Sequence, residues 1–247
     1  MVAKEISSSQ HPLVKYFIKL REEKAFRHRE KKVLIMGKKM VEELCQKEPL
    51  EILLLEKGSK KELPAKETLY LSKSLFKKIT ALPSPESICG IVKLPLPSSM
   101  EKKNYLLVLD GVADPGNLGT LFRSALGLGW EGVILTPTSV DPFNDKALRS
   151  AKGATFFMPY SFMKKEEILS FFKKKKVTAY IAHIKGKEVQ KVHLKKPLAL
   201  ILSKESGIDF TFAKNFSKIA LPMRNEIDSF NVAVSGSILL YLLGPLI

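Results

Sequence analysis

The apolar positions of the first hundred residues change period several times. Leu13, Tyr16, Phe17 and Leu20 recur at i, i+3, i+4 and i+7, the spacing of an amphipathic helix, and the stretch after them, REEKAFRHREKK, is densely charged. A second helix is expected over about 38–46, followed by the strand-like EILLLE, the short strand TLYLS, a helix over about 74–80 and the strand ICGIVKL. These elements read as an α/β module over residues 1–95. Prolines and serines then give way to charge in LPLPSSMEKKN, which makes residues 96–104 the expected linker. From 105 to 247 the pattern alternates. YLLVLD, GVILT, TFFMPY, VTAYIAHI, PLALILS and KIALPM are short apolar runs, most of them too continuous for one-sided antiparallel strands. Helical stretches over about 119–129, 145–152, 165–176 and 229–243 separate them. That order predicts an α/β fold with a mostly parallel sheet covered on both faces, and a ligand site at the carboxyl ends of its strands.

Composition adds one anomaly. The chain has 247 residues, 45% apolar and 27% charged, which suits a globular protein with a sizeable core and excludes a disulfide-stapled miniprotein or a disordered chain. Lysine and arginine number 41 against 25 acidic residues, a net charge of +16 and a pI near 9.7. Such a surplus favours a polyanionic partner, nucleic acid or an anionic membrane. The two cysteines, Cys45 and Cys89, lack metal-ligand spacing and read as buried thiols in a reducing compartment; no metal is expected. The N-terminus has no apolar signal-peptide core, which points to the cytoplasm. FNVAVSGSILLYLLGPLI, residues 230–247, is long enough to suggest a membrane anchor. Asn231, Ser235, Ser237 and Gly244-Pro245 interrupt it and no basic cluster follows, so a helix buried in the core is the expected reading.

Three loops carry candidate chemistry. LDGVADPGNLGTLFRSA follows a strand and opens a helix, but Gly116 and Gly119 do not make the dinucleotide GxGxxG, and GxxxxGK[ST] is absent. Asn117 and, six residues on, Arg123 remain, readable as a site pair or as an N-cap and a solvated arginine. ALILSKESGID breaks abruptly from an apolar strand into Ser203, Lys204, Glu205, Ser206 and Gly207, readable as an exposed turn or as a carboxylate orienting a ligand. IALPMRNEIDSFNVAVS puts Asp228 or Ser229 at a helix cap and Asn231 in the first turn of an apolar helix, where it must be hydrogen-bonded internally or face a ligand. The four histidines have no motif around them, and no Ser/His/Asp triad suggests itself.

Taken in order, these loops resemble the three signature motifs of the SpoU (TrmH-like) branch of the SPOUT RNA methyltransferases. Asn117, Gly119 and Arg123 match an NxGxxxR core, with Asp114-Pro115-Gly116 leading it; Pro222, Met223, Ser229, Asn231 and Val232 match the third motif, and Ser150 to Ala154 a Ser-x-Gly-Ala segment. The second motif departs, with Ser203 in place of its first glycine and one residue fewer after Glu205. The N-terminal module resembles the family's L30e-like substrate-binding extension, with Met36-Gly37 where a Glu-Gly pair is usual. The resemblance implies 2′-O-methylation of ribose in a structured RNA, ribosomal RNA before transfer RNA, with S-adenosylmethionine as donor, by a homodimer whose C-terminal segment forms a trefoil knot. It implies Arg123, Asn117, Glu205, Ser229 and Asn231 as catalytic residues. Leu202, Ser203, Lys204, Glu205, Gly207, Leu221, Pro222, Met223, Ser229 and Asn231 are implied to hold the cofactor. Phosphate contacts are expected from Arg21, Lys24, Arg27, Arg29, Lys31, Lys32, Lys38 and Lys39, while Lys173 to Lys176 are expected to form a solvated helix end. A non-catalytic RNA-binding protein on the same scaffold is the alternative, and a membrane-surface protein a weaker one.

Overall fold

The computed structural model describes residues 3–192, 194–203, 209–224 and 226–245. The chain divides into two compact units, residues 1–95 with 143–145 and residues 96–142 with 146–247.

In the first unit β1 (Ala3–Ile6), β4 (Thr68–Leu71), β3 (Ile52–Glu56), β5 (Ile88–Lys93) and β2 (Lys32–Met36) form one sheet in that order. β1, β4 and β3 are parallel, whereas β5 runs antiparallel to both β3 and β2. α1 (Pro12–Glu22) starts where His11 Nδ1 accepts the Leu13 N–H at 3.2 Å with Pro12 at the first helical position. Its Val14, Phe17 and Leu20 join Leu34, Leu54, Leu69 and Ile91 in the core. The charged stretch after it is a helix, α2 (Lys24–Glu30); α3 (Lys38–Cys45) and α4 (Lys73–Thr80) complete the unit. β1 and β2 have no counterpart among the expected elements, being short runs between charged residues with little period of their own. Cys45 and Cys89 are free and buried, and burial pushes the Cys89 thiol well above its ordinary range.

The second unit is built on a six-stranded sheet, β11 (Ser217–Ala220), β9 (Thr178–Glu188), β10 (Leu198–Ser203), β6 (Tyr105–Asp110), β7 (Gly132–Leu135) and β8 (Tyr160–Phe162), every neighbouring pair parallel. On one face α7 (Lys165–Lys175) and α8 (Phe210–Ala213) pack Ile168, Phe172 and Phe212 against Leu106, Val108, Ile134, Ile181 and Ile201. On the other lie α5 (Pro115–Gly127) and α9 (Val232–Leu243), with α6 (Asp145–Ala151) outside α5. Coverage on both faces is why all six residues of β6 are buried.

Three expectations change. Residues 96–104 are not a free tether. Met100 is 1% exposed against Gly132, the Ser98 N–H donates to Tyr160 O at 2.7 Å, and Lys175 Nζ donates to the carbonyls of Met100, Glu101 and Lys103. Lys175 is therefore engaged with those carbonyls instead of being a purely solvated helix end. TFFMPY is not a strand. Gly153 takes φ 89°, the chain makes a 3-10 turn over Ala154–Phe156, and the strand begins only at Tyr160, after Pro159. α9 is not buried all round: Val234, Ile238 and Tyr241 are 50%, 40% and 56% exposed along one stripe, while Val232, Gly236, Leu239 and Leu243 face inward. Among the described residues no helix is long and apolar enough to cross a membrane.

Candidate active site

Parallel strands share one carboxyl edge, and there Asp110 of β6 and Ser203 of β10 sit side by side as register partners. The first loop leaves the sheet through Gly111, whose φ of 71° suits glycine and whose N–H is shared between Thr136 Oγ1 at 3.0 Å and Ser139 Oγ at 3.1 Å. Asp114 then caps α5, its Oδ1 accepting the Asn117 N–H at 2.8 Å. A hydrogen bond from Lys146, at 2.7 Å, and then the Asn117 N–H hold the Asp114 carboxyl below the usual carboxylate range. The helix thus begins four residues earlier than its apolar period suggested, because Asp114-Pro115 supplies both a cap and a first-turn proline. Capping falls to Asp114, and the Asn117 side chain is left for another partner.

That partner is Asn231. Its Oδ1 accepts the N–H groups of Ala233 and Val234 at 2.9 and 3.4 Å, and its Nδ2 donates to Asn117 Oδ1 at 3.1 Å. Asn231 is therefore the cap of α9, not a first-turn residue, and Ser229 stands exposed in the loop ahead of it. Farther along, Ser124 Oγ and Ser237 Oγ meet at 2.8 Å. The two pairs, 117 with 231 and 124 with 237, make α5 and α9 run side by side in one direction, with both positive dipole ends at the carboxyl edge. Two glycines permit this packing. A Cβ on Gly119 would lie 2.2 Å from Ala147 O, so that position closes α5 onto α6; one on Gly236 would lie 2.5 Å from side-chain atoms of Leu121 and Leu202.

Arg123 is exposed, and no hydrogen bond or ion pair holds it among the described residues. At 3.6 residues per turn it projects about 120° around the helix from Asn117, so one chain does not bring the arginine onto the asparagine pair. Leu202 is buried, and Ser203 Oγ is buried without a hydrogen-bond partner among the described residues. Leu221 and Met223 are half-buried and Pro222 is exposed, directly after β11. Lys204, Glu205 and Gly207 lie outside the described residues, as does part of the loop through which a knot would thread. Asp110, Thr136 and Ser139 escaped the motif reading; an acid ending the otherwise apolar YLLVLD was the available signal for the first of them. Among the described residues no group of three or more His, Cys, Asp or Glu side chains is placed to hold a metal ion.

Two of the basic residues expected on RNA belong to the fold instead. Arg27 is 2% exposed and donates through Nη1 to Leu20 O at 2.9 Å and Arg21 O at 2.8 Å, closing the C-terminal end of α1. Arg21, its side chain 9% exposed, reaches the carbonyls of Lys78 and Ile79 at the end of α4. Both sit in a helix-rich, lysine-dense stretch where charge composition alone cannot separate structural from surface arginines. Lys24, Arg29, Lys31, Lys38 and Lys39 are exposed, Arg29 lying over the Phe26 ring at 4.7 Å, and Lys32 is 3.6 Å from Glu51.

The first and third loops are thus joined through Asn117 and Asn231 within a wholly parallel sheet. Residues 104–241 match the model of the SpoU rRNA Methylase family. The chain belongs to that family. Residues 11–90 match an MRM3-like substrate binding domain. The chain is 30% identical over 245 residues to the 23S rRNA (guanosine(2553)-2'-O)-methyltransferase RlmP of Bacillus subtilis, covering 96% of this chain and 98% of that one. It is 26% identical to a putative RNA methyltransferase of the TrmH family from Porphyromonas gingivalis, with a TM-score of 0.81 over 94% of this chain and 96% of that one. The AdoMet-bound rRNA methyltransferase of Sinorhizobium meliloti shares the fold, with a TM-score of 0.86 at 22% identity over 98% and 97% of the two chains.

Proposed function

We propose that this SpoU-family chain methylates a ribose 2′-hydroxyl in ribosomal RNA, with S-adenosylmethionine as donor, in the cytoplasm. The observation that carries the reading is the Asn117–Asn231 hydrogen bond, which fastens the first motif to the third at the edge where Ser203 ends β10. The residues fit the donor: Ser203 Oγ is a buried polar atom, without a partner among the described residues, at the strand end where the resemblance puts the cofactor. Leu202, Ser203 and 221–223 would hold it, together with Lys204, Glu205 and Gly207. When bound, the donor supplies an electrophilic methyl group on sulfur. What the chain's own residues contribute is position and charge. A guanidinium is a fixed positive charge with a planar donor fork, so the part of Arg123 is to hold the neighbouring phosphate and offset negative charge growing on the ribose oxygen. Asn117 and Asn231 fix each other and the two helix starts around the acceptor.

The enzyme acts as a homodimer in this reading. The exposed stripe of Val234, Ile238 and Tyr241 on α9 is an apolar surface suited to a second copy. Arg123 is exposed on the neighbouring α5, so association over this face would carry it toward the partner's site. Ile238→Glu is expected to sediment as a monomer and to lose transfer; a variant that stays dimeric, or a wild type that is monomeric, would contradict the assembly. Residues 1–95 supply RNA affinity, with Lys24, Arg29, Lys31, Lys38 and Lys39 toward phosphate. The free buried thiols support a reducing compartment. Isothermal titration with S-adenosylmethionine, followed by transfer of its labelled methyl to ribosomal or transfer RNA, tests the donor and the acceptor in turn. Binding and labelling of ribosomal RNA are expected; absence of a binding heat would contradict an enzyme.

A further inference from the structure

Three charged side chains that are not among the expected site residues meet at the carboxyl edge of the sheet. Asp110, 4% exposed at the end of β6, accepts from Thr136 Oγ1 at 3.2 Å and places its Oδ2 3.2 Å from Lys165 Nζ. Lys165, the first residue of α7, lies 3.0 Å from Asp209 Oδ2 and over the Phe212 ring at 5.3 Å. Asp209 Oδ1 accepts the N–H groups of Thr211 and Phe212 at 2.9 and 3.2 Å and so starts α8. Burial alone would lower the Lys165 ammonium, but its bonds to Asp209 and Asp110 outweigh that and raise it, while the Lys165 bond holds Asp209 low.

The placement along the chain gives this bridge a purpose. Ser203 and Asp209 are the described residues flanking 204–208, and both are tied to Asp110. The Ser203 backbone lies beside that of Asp110 as its register partner, and the Asp209 carboxylate is linked to the Asp110 carboxylate through Lys165. Asp110 also immediately precedes Gly111, where the loop leading to Asn117 begins. A buried carboxylate needs a cation, so Asp110 alone accounts for one arm of Lys165. The second arm, to an Asp209 side chain that is 42% exposed, neutralises nothing buried. We propose that Lys165 is a positioning residue for the donor site: through Asp209 it fixes the start of α8, which follows the second motif in the chain, relative to the first-motif loop. This rests on the reading that the second motif holds S-adenosylmethionine.

Asp209→Asn isolates the second arm, because the amide oxygen still accepts from Thr211 and Phe212 while the ion pair is lost. Its Kd for S-adenosylmethionine by isothermal titration is expected to rise about threefold, the scale of a partly exposed pair. Lys165→Met, which removes both arms, is expected to weaken the donor about tenfold or more, with Lys165→Arg recovering most of that loss. RNA affinity by filter binding is expected to match wild type in Asp209→Asn and Lys165→Arg, as is the melting temperature of Asp209→Asn. Donor affinity unchanged in both Asp209→Asn and Lys165→Met would overturn the assignment. So would a parallel fall of donor affinity, RNA affinity and melting temperature in Asp209→Asn, since that is general destabilisation. A wild-type protein with no heat of donor binding would instead refute the proposed function on which this inference stands.

Discussion

Arg123→Lys is expected to lower methyl transfer by about a hundredfold to a thousandfold, the range for losing one fixed charge-stabilising group from a reacting centre. The substitution keeps the positive charge and removes the planar fork that can grip a phosphate through two parallel hydrogen bonds. Arg123 is exposed and no hydrogen bond or ion pair to the described residues holds it, so the fold has little to lose. The donor Kd and the melting temperature are therefore expected to stay at wild-type values while turnover falls. Near-normal turnover with the donor bound would remove Arg123 from the mechanism. Equal losses of turnover and stability would reassign it to packing.

The second large effect is on stability. Gly119→Ala places a Cβ 2.2 Å from Ala147 O, 2.8 Å from Ser150 Cβ and 2.9 Å from Ala151 N. Two of those three atoms are backbone, so α6 must move away from α5. Alanine favours a helix interior over glycine by about 1 kcal/mol, whereas overpacking costs about 1–3 kcal/mol and more where backbone must shift. The clash wins, and a melting temperature lower by several degrees is expected, at about 2–4 °C per kcal/mol for a chain of this size. Gly127, at the other end of the same helix, has nothing within 4 Å of an added Cβ. Gly127→Ala should leave stability unchanged or raise it slightly, and thermal unfolding of the two variants side by side checks the contrast. Equal melting temperatures would mean that the Gly119 contact does not set how the helices pack.

The helices flanking the site show how much the sequence held. The strands in YLLVLD, GVILT and LALILS were legible because burial on both faces leaves continuous apolar runs, and the parallel sheet follows from their alternation with helices. Helix starts were less legible. The apolar period begins where a helix meets the core, whereas α5 begins at Asp114, which caps, and α9 begins only at Asn231, which does the same. The motif pattern named Asn117 and Asn231 but not their bond, which spans 114 positions and exists only once both helices are packed. Arg21 and Arg27 show the converse limit. Nothing in a run of charges distinguishes a guanidinium that closes a helix end from one that meets solvent until the carbonyls it serves are brought to it. Lys165 was illegible for the same reason, since its two carboxylates come from β6 and from the start of α8.

Mapping of 2′-O-methylated riboses in ribosomal RNA from cells with and without this protein tests the central claim most directly. The account predicts at least one ribose that is methylated only when the protein is present, restored by the wild-type chain and not by Arg123→Lys. An identical methylation map in both cells, with labelled transfer RNA or no labelled RNA at all, would contradict it.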